Sequence, residues 1–333
     1  MSQPAERSYE DRVRSEARHF RGRFAFDALP PAHDYWSNRY LRPEVERLYG
    51  ISGPIEIYAQ ECTRAFAASG VRRVLSIGCG RGDLEVAIAR RLRALGEQAF
   101  RIDCLELVPE LCERGRCFAA ENGVAEHVCF VQADMNAWTP AEAGAYAAVI
   151  ANQVLHHVVA LEHLFDAIRA SLAPGGLFVT RDMIGRNGHR CWPEVKAVVD
   201  DLWAALPRRL TYDVRFERFY DAYPDRDLST EGFEGIRSQD ILPLLLERFH
   251  FARFVCFGAL IERFAGRAFG HNFRMDDEGD RTLVDLIYLL NHRLVGAGAI
   301  KPTQMVASLA LDPRETRCGF GWTPSFCLRS PDV

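Results

Sequence analysis

The sequence has no Cys-x-x-Cys pair, and its ten cysteines are never grouped with histidines at the spacing that holds zinc. Neither a disulfide framework nor a metal site is indicated, and no metal is expected. Cysteines inside apolar runs, such as Cys104 and Cys256, read as small buried hydrophobes. The N-terminus has no apolar signal-peptide core, and no uninterrupted apolar stretch approaches the roughly 20 residues that cross a bilayer. The expectation is a cytoplasmic protein with no membrane partner. Long runs of one charge sign are missing too. Lys plus Arg number 41 against 45 Asp plus Glu, a net charge of −4, which leaves no basic footprint for nucleic acid.

What is there is an ordinary globular composition, 48% hydrophobic and 26% charged over 333 residues, enough for one decorated domain or one domain with a smaller companion. Residues 1–50 are polar and Arg-rich, punctuated by Phe20, Phe24, Phe26, Tyr35, Trp36 and Tyr40; they read as an N-terminal helical cap. From residue 51 to 184 short apolar runs (71–78, 99–107, 128–133, 146–151, 177–180) alternate with amphipathic stretches (84–95, 109–122, 161–172). Continuous apolar strands separated by helices mean a parallel sheet covered on both faces, a doubly wound α/β fold with ligands at the carboxyl ends of its strands. Residues 185–250 break the alternation. A helix opens at Pro193 and stops before Pro207, and the irregular stretch after it reads as a lid insertion. Residues 251–333 return to the sheet with two more apolar runs, 251–261 and 305–311, for seven strands in all.

The chemistry concentrates at strand ends. The first strand runs into Gly78-Cys79-Gly80-Arg81-Gly82 and then a helix, a turn that lets backbone approach a ligand closely. The third glycine comes one residue too early for the dinucleotide fingerprint GxGxxG, and position 83 is Asp. Glu106, next to Leu107 at the end of the second strand, is placed to accept both ribose hydroxyls of an adenosyl group, since an ionised acceptor forms strong paired hydrogen bonds. Asp134 ends the third strand, where it would meet an adenine amino group with Met135 flanking the ring.

These three strand ends resemble the class I S-adenosylmethionine-dependent methyltransferase family, over residues 50–184 and, less closely, 250–312. The resemblance implies a Rossmann-like sheet, S-adenosylmethionine as cofactor, and cofactor contacts from Gly78, Gly80, Gly82, Glu106, Leu107, Asp134 and Met135. It also implies that Asn152, ending the fourth strand, contacts the methionine portion. One departure stands out: the family usually has an acidic residue two positions before the first glycine, and this chain has Ser76. The following Gln153-Val154-Leu155-His156-His157 resembles the segment lining the methyl-transfer pocket, so His156 and His157 are candidates for the group that takes a proton from an attacking hydroxyl. Asp182, at the end of the fifth strand, is a third candidate, with pairing to Arg181 as its structural alternative. His189 and His271 lie in variable regions.

The expected activity is methyl transfer to a small-molecule oxygen in specialised metabolism, with nitrogen or carbon acceptors as the alternative. A protein methyltransferase, or a protein that binds the cofactor without methylating, is the further alternative. Nucleobase chemistry is disfavoured: Asn152 lacks the Pro-Pro-aromatic sequence of the amino methyltransferases, and the chain has no Pro-Cys nucleophile. The lid interleaves Tyr212, Phe216, Phe219, Tyr220 and Tyr223 with Arg208, Arg209, Arg215, Arg218 and Arg226, a candidate wall for an aromatic or anionic acceptor. The aromatic N-terminal helices would cover a neighbour's active site as readily as their own, so a homodimer is among the expectations.

Overall fold

The computed structural model describes residues 8–21, 29–230 and 232–329; Phe24, Phe26 and the side chain of Phe20 lie outside what is described. Before the sheet come α1 (Tyr9–Arg21), α2 (Pro31–Trp36), α3 (Arg42–Tyr49) and α4 (Pro54–Ser69). Strands and helices then alternate as β1 (Arg73–Ile77), α5 (Asp83–Ala94), β2 (Arg101–Glu106), α6 (Pro109–Glu121), β3 (Val128–Gln132), β4 (Tyr146–Asn152), α7 (Leu161–Ser171) and β5 (Leu172–Met183). Next are α8 (Pro193–Ala205), a short hairpin of β6 (Tyr212–Asp213) and β7 (Arg218–Phe219), and α9 (Ser238–Arg248). The chain closes with β8 (His250–Phe257), α10 (Ile261–Ala265), α11 (Glu278–Gly296), β9 (Gln304–Ala310), β10 (Arg317–Cys318) and α12 (Pro324–Cys327). Proline at the first turn of α4, α6 and α8 starts each helix where a missing N–H costs nothing.

The main sheet runs β10-β8-β9-β5-β4-β1-β2-β3. β1 to β5 are mutually parallel, and β9 enters antiparallel between β5 and β8. The seven expected strands are present. The eighth, β10, is a two-residue edge strand too short to leave a periodic signal. Strand order reverses between β1 and β4, which opens a crevice at their carboxyl ends, where the glycine loop lies.

Three packed regions hold this frame. On one face of the sheet, Phe66 of α4 and Ile88 and Leu92 of α5 bury against Ile102 and Ile150. On the other, Phe165 of α7 and Ile241 and Leu245 of α9 pack on Phe178 and Phe254. α9 falls inside the segment read as a lid, yet it covers the sheet. A third cluster joins the N-terminal helices to the lid and the C-terminal helices through Trp36, Tyr49, Trp203, Phe264 and Tyr288. Cys62, Cys104, Cys112, Cys191, Cys256 and Cys327 are buried, as their apolar neighbours suggested. Among the described residues no helix is long and apolar enough to cross a membrane.

Candidate active site

The glycines of the loop after β1 have backbone φ of +63° at Gly78, +58° at Gly80 and +79° at Gly82, values that side chains rarely adopt. Their roles differ. A Cβ on Gly78 would sit 2.2 Å from Val154 Cγ2, and one on Gly82 would sit 2.4 Å from Phe130 Cζ, so these two are needed for packing. A Cβ on Gly80 would meet nothing within 4 Å; this is the open side of the loop. Glu106 is strapped to that loop. Its Oε2 accepts from the Gly80 N–H at 2.9 Å and its Oε1 from the Val108 N–H at 2.9 Å.

At the end of β3, Asp134 Oδ1 accepts from the Asn136 N–H at 2.9 Å, and Met135 borders Gly78. Asp134 has a partner the sequence did not suggest: the Tyr9 hydroxyl of α1 donates to Oδ2 at 2.6 Å. Arg12, one turn along α1, donates to the Ser229 and Gly232 carbonyls. Helix α1 thus ties the Asp134 corner to the segment preceding α9. Asn152 is fixed by the Tyr58 hydroxyl of α4, which donates to its Oδ1 at 3.0 Å.

The histidines gather on the far side of this crevice. Asp182 is fully buried and does not pair with Arg181. Its carboxylate accepts from the Val154, Leu155, His156 and Met183 N–H groups and from His156 Nδ1, the last at 2.6 Å. With five donors on two oxygens it pins the loop after β4 and has little lone-pair capacity left for a substrate proton. Burial alone would lower the His156 pKa, but Asp182 and then Glu234 reverse this and push it up to about 10. His156 therefore holds a proton rather than taking one. The His157 ring lies 4.3 Å from that of His156, and its Nε2 is 3.6 Å from Glu234 Oε2. His189 Nε2 is 2.8 Å from Glu234 Oε1. Glu234 escaped sequence reasoning; its one signal was a carboxylate flanked by Gly232 and Gly235 in the irregular segment. Burial would raise its pKa, but the hydrogen bonds from His156 and His189 and the nearby His157 hold it below the usual carboxylate range. His271 is exposed on the turn Gly270–Asn272.

Two non-glycine residues here have left-handed backbone, Gln153 at φ +55° and His189 at φ +56°, strain of the kind that clusters at functional sites. The arginines of the lid stack on its own aromatics. Arg226 lies 4.0 Å from the centre of the Phe216 ring and Arg218 lies 4.6 Å from that of Tyr220, while Arg209 pairs with Asp280.

Residues 74–176 match the family model described as a methyltransferase domain. Over 168 residues the chain is 28% identical to the ubiquinone biosynthesis O-methyltransferase of Xylella fastidiosa (strain M23), an alignment covering 46% of this chain and 64% of that protein. Residues 74–176 are thus a methyltransferase domain, similar to those of S-adenosylmethionine-dependent enzymes. Over 84 residues the chain is 36% identical to the tRNA1(Val) (adenine(37)-N6)-methyltransferase of Enterobacter sp. (strain 638), covering 25% of this chain and 33% of that one. The alignments thus span less than two thirds of the length of either curated relative. Among solved structures, the geranyl diphosphate C-methyltransferase from Streptomyces coelicolor A3(2) aligns at 15% identity with a TM-score of 0.47, covering 92% of this chain and 100% of that one.

The donor set of the methyltransferase fits its cofactor, including at the departure noted in the sequence. Ser76 Oγ donates to Glu85 Oε1 at 2.6 Å, both residues are buried, and Glu85 comes from the first turn of α5. A carboxylate from nine residues further on thus lies directly against Ser76. Glu85 Oε2 has no hydrogen-bond partner among the described residues, and neither does the buried Gln153 Nε2. This acceptor and this donor would suit the amine and carboxylate of a bound methionine moiety.

Restoring the family's acidic residue should therefore harm this protein. Ser76→Asp would set a second carboxylate against Glu85 in a buried position, and a loss of roughly 2–4 kcal/mol is expected in urea unfolding. Unchanged stability would mean that Glu85 does not hold this position. Burial pushes the Glu85 pKa up from 4.5 to about 7. Between those values the folded state keeps a proton that the unfolded chain has released, so stability falls as pH rises and levels off above the folded value. Replacement by Gln removes that penalty. Glu85→Gln should gain on the parent by about 3 kcal/mol between about pH 5 and about pH 8 in denaturant titrations. Parallel curves for the two proteins would place the Glu85 carboxyl in solvent.

Proposed function

We propose that the chain transfers a methyl group from S-adenosylmethionine to a small-molecule oxygen, with nitrogen or carbon as the alternative acceptor atom. The observation that carries this reading is Glu106, strapped by two backbone N–H groups over the open side of the loop at Gly80. Glu106 would hold the ribose hydroxyls, Asp134 and Met135 the adenine, and Glu85, Gln153 and Asn152 the methionine end. The bound cofactor supplies a methyl group already activated by the sulfonium charge. The protein therefore has two tasks, holding the acceptor in line and removing its proton, and alignment alone is worth roughly 7–11 kcal/mol in well-oriented systems.

Proton removal falls to His157. His156 is bonded to Asp182 through Nδ1 and Asp182 to the backbone; His157 lies beside them, its Nε2 3.6 Å from Glu234 Oε2. The name of the Xylella relative supports oxygen as the acceptor atom. The acceptor-binding surface would be the lid and α1. Small molecules from a cell extract, incubated with the protein and methyl-labelled cofactor, should acquire label.

A further inference from the structure

We propose that His156, His189 and Glu234 form a binding site for a divalent first-row transition-metal ion. Spacing along the chain gives no sign of it, because the ligands come from three separate segments: the loop after β4, the turn after β5, and the stretch before α9. Folding brings their donor atoms within 4.8 Å of one another. Glu234 Oε1 is 2.8 Å from His189 Nε2 and 3.6 Å from His156 Nε2. Ligands held at about 2.0–2.1 Å from one ion lie roughly 3.0–3.4 Å apart, so the two Glu234 distances bracket the expected spacing, and the site closes by drawing the two imidazoles onto one ion.

The surroundings are built for ligation. Asp182 holds His156 Nδ1, which fixes the ring and turns Nε2 toward Glu234; this carboxylate–histidine pairing is what orients metal-bound imidazoles, and a bound ion would take the place of the proton on Nε2. The three segments are stitched together by backbone bonds, Gly188 N–H to the Gly235 carbonyl at 2.8 Å and Ile236 N–H to the His156 carbonyl at 3.0 Å. The first of these needs glycine, because a Cβ on Gly235 would sit 3.0 Å from Gly188 N. Two imidazoles and one carboxylate suit zinc, cobalt, iron(II) or nickel better than calcium or magnesium. Three protein ligands leave open positions for water or for an oxygen ligand such as a hydroxyl or carboxylate. An ion here would also clamp the segment that docks α1 through Arg12.

The inference rests on geometry and does not require that methyl transfer occur. The test uses the full chain without an affinity tag, stripped with chelator and titrated with cobalt(II) chloride while visible absorption is followed. One equivalent should bind with a ligand-field band, zinc(II) should bleach it, and Glu234→Gln and His189→Ala should each weaken binding at least about tenfold. Circular dichroism and S-adenosylhomocysteine affinity, read on the same samples, show that the variants are folded and keep the fate of the cofactor assignment separate. His163→Ala, a histidine bonded to the Trp138 carbonyl, should bind as the parent does. No saturable band in the parent, or an unchanged band in folded Glu234→Gln, would overturn the proposal.

Discussion

Replacing Glu106 by Ala should weaken S-adenosylhomocysteine binding by about a hundredfold or more. The size follows from the bonds at stake. A hydrogen bond to a charged group is worth roughly 1.5–3 kcal/mol, and two ribose hydroxyls on one carboxylate therefore account for about 3 kcal/mol or more, or two orders of magnitude in affinity. Part of the loss comes through the loop, because Ala also abandons the Gly80 and Val108 N–H groups that Glu106 satisfies. Glu106→Gln separates the contributions. One amide oxygen serves only one of those N–H groups, and the new NH2 opposes the other, so the loop should loosen even where some ribose contact survives. Calorimetry on both variants checks this, and near-normal affinity in Glu106→Ala would remove Glu106 from the ribose role.

The second large effect is kinetic. His157→Ala should cut turnover by roughly 10² to 10⁴, the usual range for a general base, while cofactor affinity stays within about twofold. The split matters, because a base at His157, beyond the loop that would hold the cofactor, would act only on the acceptor. His156→Ala should behave differently. It removes the partner that Asp182 and Glu234 share, leaves the buried Asp182 carboxylate without its countercharge, and so should lower stability and turnover together. Unchanged turnover in His157→Ala would move the base to His189 or leave the reaction to alignment alone.

Much of this was legible in the sequence, and the parts that were not share a cause. The strands show as apolar runs because both faces of a parallel sheet are buried. The glycine loop, Glu106 and Asp134 show because each sits at a strand end, where spacing along the chain maps onto position in space. Glu234 does not show, because it meets His189 from 45 residues away and across an irregular segment. The partnership of Asp182 with His156, rather than with the adjacent Arg181, likewise depends on β4 and β5 lying side by side. Ser76 read as a loss until Glu85 of α5 was seen to lie directly against it. Tyr9 on Asp134 depends on where α1 docks, and nothing in the polar N-terminal stretch sets that. The arginines of the lid were read as a wall for an acceptor, yet several stack on aromatics of the same segment.

The most direct test of the whole account is transfer itself. The protein is incubated with methyl-tritiated S-adenosylmethionine and fractionated cell extract, and label is counted separately in small molecules, protein and nucleic acid. The account predicts label in the small-molecule fraction, on oxygen, lost in Glu106→Ala and His157→Ala. Label confined to protein or nucleic acid, or small-molecule label that persists undiminished in Glu106→Ala, would contradict it.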